Sequence, residues 1–384
     1  MVICEGYNKK IQILNLMTVL AIDKNKLNKM ALVCAAELRA PSYMPSPSSP
    51  LTIKVRLKFL IKKALGLSVR RPDYSYFWTT AVLADGLAEY INVDNDKFFI
   101  SELKQFHKES KRKASFKNIT YVDEVMHGNS LIDLYNHELS TWMKADADNL
   151  AYFLLESHTK TLSGVLPYRQ QNKNSVLVDT IGMVCPFLTK YGVLFNCQPA
   201  VALATKQLRE FIDKGISSDL DLPYHGYSYI PEKNLGGDGW GRGLGWFLLG
   251  IIGVLEFLPR NDVNYQFFLS FYRSLIEQVF NKQGKSGAFS VQLLDEGSTP
   301  DSGATGMIAY ACAKGVELNL IDKTYLERCA KAFEFILSVT DEEGRVQECS
   351  GEALGANNYS NKKGWYPWGQ GPSVSLGACL LRQV

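Results

Sequence analysis

Several signatures that would assign a chemistry at once are missing from this chain. Its eight cysteines (4, 34, 185, 197, 312, 329, 349 and 379) form no C-x-x-C pair and no closely spaced framework. That excludes a small disulfide-stapled domain, and a reduced, cytoplasmic chain is the expectation. The five histidines (107, 127, 137, 158 and 225) include no H-E-x-x-H and no cysteine partner at zinc spacing, so no metal and no other cofactor is expected. Neither sign of charge dominates: 42 basic residues face 39 acidic ones, for a net charge of +3. So balanced a chain is not built to neutralise phosphates, and nucleic acid is excluded as a partner. No apolar run is long enough for a membrane. The greasiest, Leu244 to Leu255, is closed by Arg242 and Glu256 and falls short of the roughly 20 residues that a span needs. The start, MVICEGYNKKIQILNLMTVL, carries lysines in its middle and lacks the pattern of a secretory leader. There is no G-x-S-x-G elbow, and Gly241-x-Gly243-x-Gly245 has no strand expected before it and lacks the Lys-Ser/Thr of a phosphate loop.

What is present is ordinary globular material, 46% hydrophobic and 21% charged. PSYMPSPSSP, residues 41–50, reads as a Pro/Ser linker that sets an N-terminal segment, 1–50, apart from a body spanning 51–384. Within the body, strongly apolar helices alternate with charged, amphipathic ones. The apolar set is Tyr76–Tyr90, Val125–Leu139, Thr180–Tyr191, Leu244–Leu258, Ser302–Leu318 and Ser373–Leu381. The amphipathic set is Asp96–Lys113, Asp146–Lys160, Pro199–Lys214, Tyr265–Lys282 and Lys323–Ser338, with Lys54–Leu67 expected to complete it. A helix apolar all round has to be buried on every side, and an amphipathic one covers it. Six such pairs closing on themselves make an all-α (α/α)6 barrel of six helical hairpins. Gly287–Leu294 is the one segment that alternates enough for a short strand.

In such a barrel the loops leading into the inner helices emerge on one face. They carry Asp123, Asp179, His225, Trp240, Arg242, Asp301, Trp365 and Trp368. Inner-helix N-termini bring their positive dipole ends to the same face, which favours an anionic ligand. Asp179 stands just before an apolar helix, where capping is the plain reading. Its neighbours Val178, Ile181 and Met183 would also desolvate it, as a general acid requires. Asp123 occupies the equivalent place one hairpin earlier, while Glu124 points about 100° away from it. His225 lies among aromatics in LPYHGYSY, and Arg242 is bracketed by glycines and by Trp240 and Trp246. Aromatic rings beside a guanidinium suit a pocket that stacks on a sugar and pairs with a carboxylate.

At these residues the chain resembles the unsaturated glucuronyl and rhamnogalacturonyl hydrolases of glycoside hydrolase families 88 and 105. The resemblance runs from about Asp73 onward. It rests on VDTIGMVCPFL, on HGY followed by WGRGLGW and LEFLP, on the helix from Asp301-Ser302 to Ala313-Lys314, and on DEEGRVQE. It implies a metal-independent enzyme on an (α/α)6 barrel. An aspartic acid protonates the C4=C5 double bond of a 4,5-unsaturated uronic acid, water adds at C5, and the hemiketal opens to release the sugar. It also implies Asp179 as the acid/base, Asp123 as the second carboxylate, and His225, Trp240, Arg242, Trp246, Tyr168 and Trp368 around an oligosaccharide carrying a uronic acid. Three positions depart from the family pattern: Leu177 for a tryptophan, Tyr168 (followed by Arg169) for a histidine, and Leu244 for the asparagine of GRGNGW. All three are expected at the sugar pocket. A glycosidase acting on a saturated glycan, through Asp123/Asp179 or Asp179/Asp301, and a non-catalytic glycan-binding protein stand as alternatives.

Overall fold

A computed structural model describes residues 23–43, 76–113, 119 and 121–383, the side chains of 111–113 apart. Thirteen α-helices follow in order: α1 (Lys24–Arg39), α2 (Trp78–Asp94), α3 (Lys97–Lys113), the single turn α4 (Val122–Val125), α5 (Gly128–Glu138), α6 (Thr141–Tyr152), α7 (Val178–Leu194), α8 (Gln198–Gly215), α9 (Gly241–Phe257), α10 (Tyr265–Phe280), α11 (Ser302–Glu317), α12 (Tyr325–Ser338) and α13 (Pro367–Leu381). Helices α2, α5, α7, α9, α11 and α13 pack each on the next, and α13 returns to α2, so the inner ring closes. Helices α3, α6, α8, α10 and α12 lie outside it. The expected barrel is present, and its inner members are the apolar segments read from sequence. In α9, Phe247, Leu248, Ile251 and Val254 are all sealed from solvent, as a helix without a polar face must be.

The ring closes through the two ends of the described chain. Helix α1, inside the segment that its linker set apart, packs on α2, α3 and α13, with Leu27 and Met30 wholly buried. It therefore fills the sixth outer position. The segment Lys54–Leu67, expected there, lies outside the described residues. Helices α2 and α13 approach so closely that a Cβ on Gly371 would sit 2.0 Å from the Val82 carbonyl oxygen. Only glycine permits that contact, and it holds the last inner helix against the first.

The strand expected at Gly287–Leu294 does not form. Ser290 and Gln292 make only isolated bridges, to Pro300 and Trp240, because the segment crosses the barrel mouth without a partner strand beside it. A three-stranded antiparallel sheet stands there instead: β1 (Ser175–Leu177), β2 (Tyr224–Tyr229) and β3 (Glu232–Asp238). A strand thus does precede the Gly241-x-Gly243-x-Gly245 run. A small ladder of β4 (Cys349–Ser350) and β5 (Lys363–Gly364) flanks it.

The opposite end of the barrel axis is lined by paired charges. Lys314 reaches Glu256 at 2.9 Å, Glu317 at 3.3 Å and Glu89 at 3.6 Å, and Lys190 pairs with Asp133. Burial works against the charge on Glu89, yet Lys314 and Arg382 hold its carboxyl down at about 2. No helix among the described residues is long and apolar enough to cross a membrane.

Between α3 and α5 the core contains uncharged imidazoles. His127 stacks on Tyr76 at 3.9 Å, and its Nε2 lies 3.0 Å from the Phe77 carbonyl. Burial pushes His107 down to about 3 and His127 well below its ordinary value. In the unfolded chain both would take up a proton near pH 6.5. Stability that is complete above that value is therefore lost as pH falls from about 6.5 towards 3, because the unfolded state binds more protons there. Thermal melts should show Tm falling across this window, with a shallower slope in His107→Gln. An equal slope in both proteins would show that His107 does not contribute.

Candidate active site

At the N-terminal mouth of the inner ring lies a cavity of about 400 Å³. Asp179 is on its wall. Strand β1 runs directly into α7, so Leu177 is the N-cap and Asp179 sits in the first turn, two residues past the cap. The β1–β2 register sets Leu177 opposite Gly226, where a Cβ would come within 2.3 Å of the Val176 carbonyl oxygen. That close approach brings the neighbouring His225 over the start of α7. His225 Nε2 is 3.3 Å from Asp179 Oδ2, near enough for charge pairing but not aligned as a hydrogen bond. Asp179 Oδ2 is buried with no hydrogen-bond donor among the described residues. Buried carboxylate oxygens ordinarily have donors; Asp123 Oδ1 lacks one among the described residues as well, but of the two aspartates only Asp179 is on the cavity wall.

The cavity's aromatic side is a stack. His225 lies against Trp240 with ring centroids 4.4 Å apart, and Tyr359 stacks on Trp240 at 4.9 Å. Tyr359 OH is 3.3 Å from His225 Nδ1. Gly236, at φ +75°, makes room for this convergence: a Cβ there would meet the Ala356 carbonyl at 2.2 Å and His225 Cβ at 2.6 Å. Trp246 and Trp78 complete the aromatic lining, edge to face at 6.1 Å.

The remaining expected residues divide. Tyr168 and Leu177 line the cavity, as two of the three departures were expected to. Leu244 does not: it is 1% exposed in the apolar core, because the helix begins at Gly241 and already faces inward there. Arg242 borders the cavity from the first turn of α9, not from a loop. It is buried, and Nη1 donates to the Ser350 carbonyl at 3.0 Å and to Ser350 Oγ at 2.9 Å. Nη2 donates to the Gly351 carbonyl at 3.1 Å. Its guanidinium lies over the rings of Trp240 and Trp368 at 5.1 and 5.3 Å, so Trp368, not Trp246, is the second tryptophan beside it. Trp368 itself is fully buried and is not on the cavity wall. Its Nε1 donates to the Ser350 carbonyl, which makes it a prop behind Arg242 rather than a sugar platform.

The acidic candidates other than Asp179 are sealed. Asp301 caps α11 and accepts from the amides of Gly303 and Ser350 and from Ser350 Oγ at 2.7 Å, with no exposure. Asp123, in the first turn of α4, is also unexposed. Its Oδ2 takes 2.9 Å and 3.3 Å bonds from Arg169 Nη2 and Tyr168 OH. Burial raises its carboxyl above the usual range, and Arg169 offsets part of that. Glu124 is the expected structural neighbour, accepting from the Tyr121 amide at 2.9 Å. Seven wall residues had not been singled out as site residues: Arg169, Trp78 and the run from Glu352 to Ala356, with Tyr359 stacked on Trp240 nearby. Arg169 stood next to Tyr168 in plain view. The others sit at a helix start or in an irregular loop, where no periodicity marks them. Among the described residues, no group of three His, Cys, Asp or Glu is placed to hold a metal.

A six-hairpin barrel with a carboxylate on the wall of its mouth among a ring of aromatics is the architecture of a helical-barrel glycoside hydrolase. The chain belongs to glycosyl hydrolase family 88, whose sequence profile matches residues 59–383. It is 25% identical over 201 residues to an unsaturated 3S-rhamnoglycuronyl hydrolase of Formosa agariphila, a match covering 51% of this chain and 49% of that one. A hydrolase of the same description from Alteromonas sp. is 26% identical over 135 residues, 34% of this chain and 33% of its own. The chain thus spans about half, or less, of the curated relatives it matches. In fold it is similar to a possible GH105 member from Salmonella enterica, with a TM-score of 0.80 at 20% identity, covering 94% of this chain and 95% of that one. An unsaturated glucuronyl hydrolase specific for heparin gives 0.70 at 15%, over 94% and 98%.

Proposed function

We propose that this hydrolase acts on oligosaccharides ending in a 4,5-unsaturated uronic acid, with Asp179 as the general acid and base. The observation that carries the reading is the bare Oδ2 of Asp179 on the cavity wall, beside His225. A protonated Asp179 donates its proton to C4 of the C4=C5 enol ether, leaving positive charge shared by C5 and the ring oxygen. Water adds at C5 and returns a proton to the Asp179 carboxylate, so the acid is regenerated within one turnover. The C5 hemiketal opens to a ketone, and the hemiacetal left at C1 releases the aglycone as its alcohol. One water is consumed and the double bond is lost.

His225 lies 3.3 Å from Asp179, and the Trp240–Tyr359 stack offers a face for the sugar. Asp123 serves here through Arg169 and Tyr168, to which it is bonded, rather than by touching substrate. The saturated-glycan alternative needs two carboxyls free to reach the scissile bond. Asp123 and Asp301, its expected partners for Asp179, are both sealed, which weighs against it.

Turnover in D₂O separates the two chemistries. Protonation of the double bond places one deuterium at C4 of the first-formed product, read by mass spectrometry at low conversion. Cleavage of a saturated glycoside with no deuterium at C4 would overturn the reading.

A further inference from the structure

Two guanidiniums border the cavity, and their surroundings differ. Arg242 is 3% exposed, with three N–H bonds committed to Ser350 and Gly351. Its work is to tie the start of α9 to strand β4. Arg169 is more open, its side chain 15% exposed. Its plane lies 3.9 Å over the Tyr168 ring and 4.8 Å over that of Tyr121, its Nη2 is fixed by Asp123, and its Nη1 donates to the Tyr168 carbonyl at 3.1 Å. The group is thereby held flat and oriented, the condition under which arginine recognises a carboxylate better than lysine does.

Position adds a second argument. In the proposed substrate the carboxylate is borne on C5, one bond from the C4 that receives the proton. Its partner must therefore lie close to the acid. Arg169 is carried by the segment that runs through β1 straight into Asp179, and both residues line the same cavity. The cavity wall also holds Glu352, so an anion entering it faces like charge unless a cation is presented.

We propose that Arg169, and not Arg242, is the residue that reads the substrate's C5 carboxylate, with Asp123 and Tyr168 as its positioning residues. This inference rests on the uronyl-hydrolase reading for its substrate, and its test is arranged so that the two fail separately.

The experiment uses the full chain with an unsulfated unsaturated uronyl disaccharide and its methyl ester, and compares wild type with Arg169→Met, Arg169→Lys and Arg242→Leu. Arg169→Met should lower kcat/KM on the acid by roughly 30- to 1,000-fold. It should cost far less on the ester, so that the acid-to-ester preference collapses. Arg169→Lys should restore part of that preference, since charge returns without the planar fork. Arg242→Leu should leave the preference as it is in wild type. Since Arg169→Met strands a buried Asp123, the double variant with Asp123→Asn is run beside it and should show the same collapse. Equal losses on acid and ester, or a preference that shifts only with a sulfated aglycone, overturn the proposal. If wild type turns over neither compound, the functional reading fails. Calorimetric titration of Asp179→Asn, with and without Arg169→Met, by glucuronate and its methyl ester then decides the inference. Selective loss of glucuronate binding supports it, and unchanged binding overturns it.

Discussion

Asp179→Asn is expected to fold as wild type does and to turn over an unsaturated uronyl substrate about 10²–10⁴-fold more slowly, the usual worth of a positioned acid/base. Folding should survive because Asp179 caps nothing: the N-cap of α7 is Leu177, and Oδ2 has no donor among the described residues to lose. The amide keeps the size and part of the polarity of the acid but has no proton to give. The loss should fall on kcat, with KM little changed, since Asp179 acts in the transition state rather than in uniform binding. A folded variant with near wild-type turnover would remove Asp179 from the chemistry. The same experiment on Asp123 should look different. Asp123→Asn leaves Arg169 without its carboxylate, so the effect should appear mainly in KM.

The second large effect is expected in stability. Arg242→Leu removes three hydrogen bonds from a buried cation and leaves the Gly351 carbonyl and Ser350 Oγ short of a donor. About 2–4 kcal/mol of folding stability should go with them, since bonds to a charged group are the stronger kind and unsatisfied buried acceptors are costly. Denaturant melts measure this directly. Activity should fall equally on uronate and ester, because Ser350, Asp301 and Trp368 form the network that Arg242 holds together. A variant as stable as wild type, but selectively poor on the uronate, would return Arg242 to the role of anion partner.

The sequence was most readable where packing chemistry is uniform. A helix such as α9 leaves no choice but burial, and the alternation of such helices with amphipathic ones sufficed for the barrel. Helix starts were read less well. Tyr121 and Leu177 are the caps, so Asp123 and Asp179 fall inside the first turn, and reading each aspartate as a cap sets its helix start two residues too late. The sixth outer helix was sought at Lys54–Leu67 because the Pro/Ser run implied a break before it. Helix α1 takes that place through contacts with α13, a pairing between chain ends that local pattern cannot show.

At the site, residues in motifs were found and residues in loops were not. Asp179, His225 and Trp240 were marked by their neighbours, whereas Tyr359 and Glu352 arrive on an irregular loop between β4 and β5. Arg242 was read as a substrate cation because glycines and tryptophans flank it. Those glycines instead let α9 pack tightly: a Cβ on Gly241 would meet the Ser290 carbonyl at 2.3 Å. The guanidinium is used by the fold, and its bonding to main-chain carbonyls more than a hundred positions away leaves no trace in the local sequence.

The most direct test of the account follows absorbance near 235 nm while wild-type protein is incubated with unsaturated uronyl disaccharides, with new reducing ends assayed in parallel. Loss of the conjugated enol-ether carboxylate in step with release of the aglycone, abolished in Asp179→Asn, is the predicted result. Constant absorbance while reducing ends accumulate would contradict it, since the glycosidic bond would then be broken without protonation of the double bond.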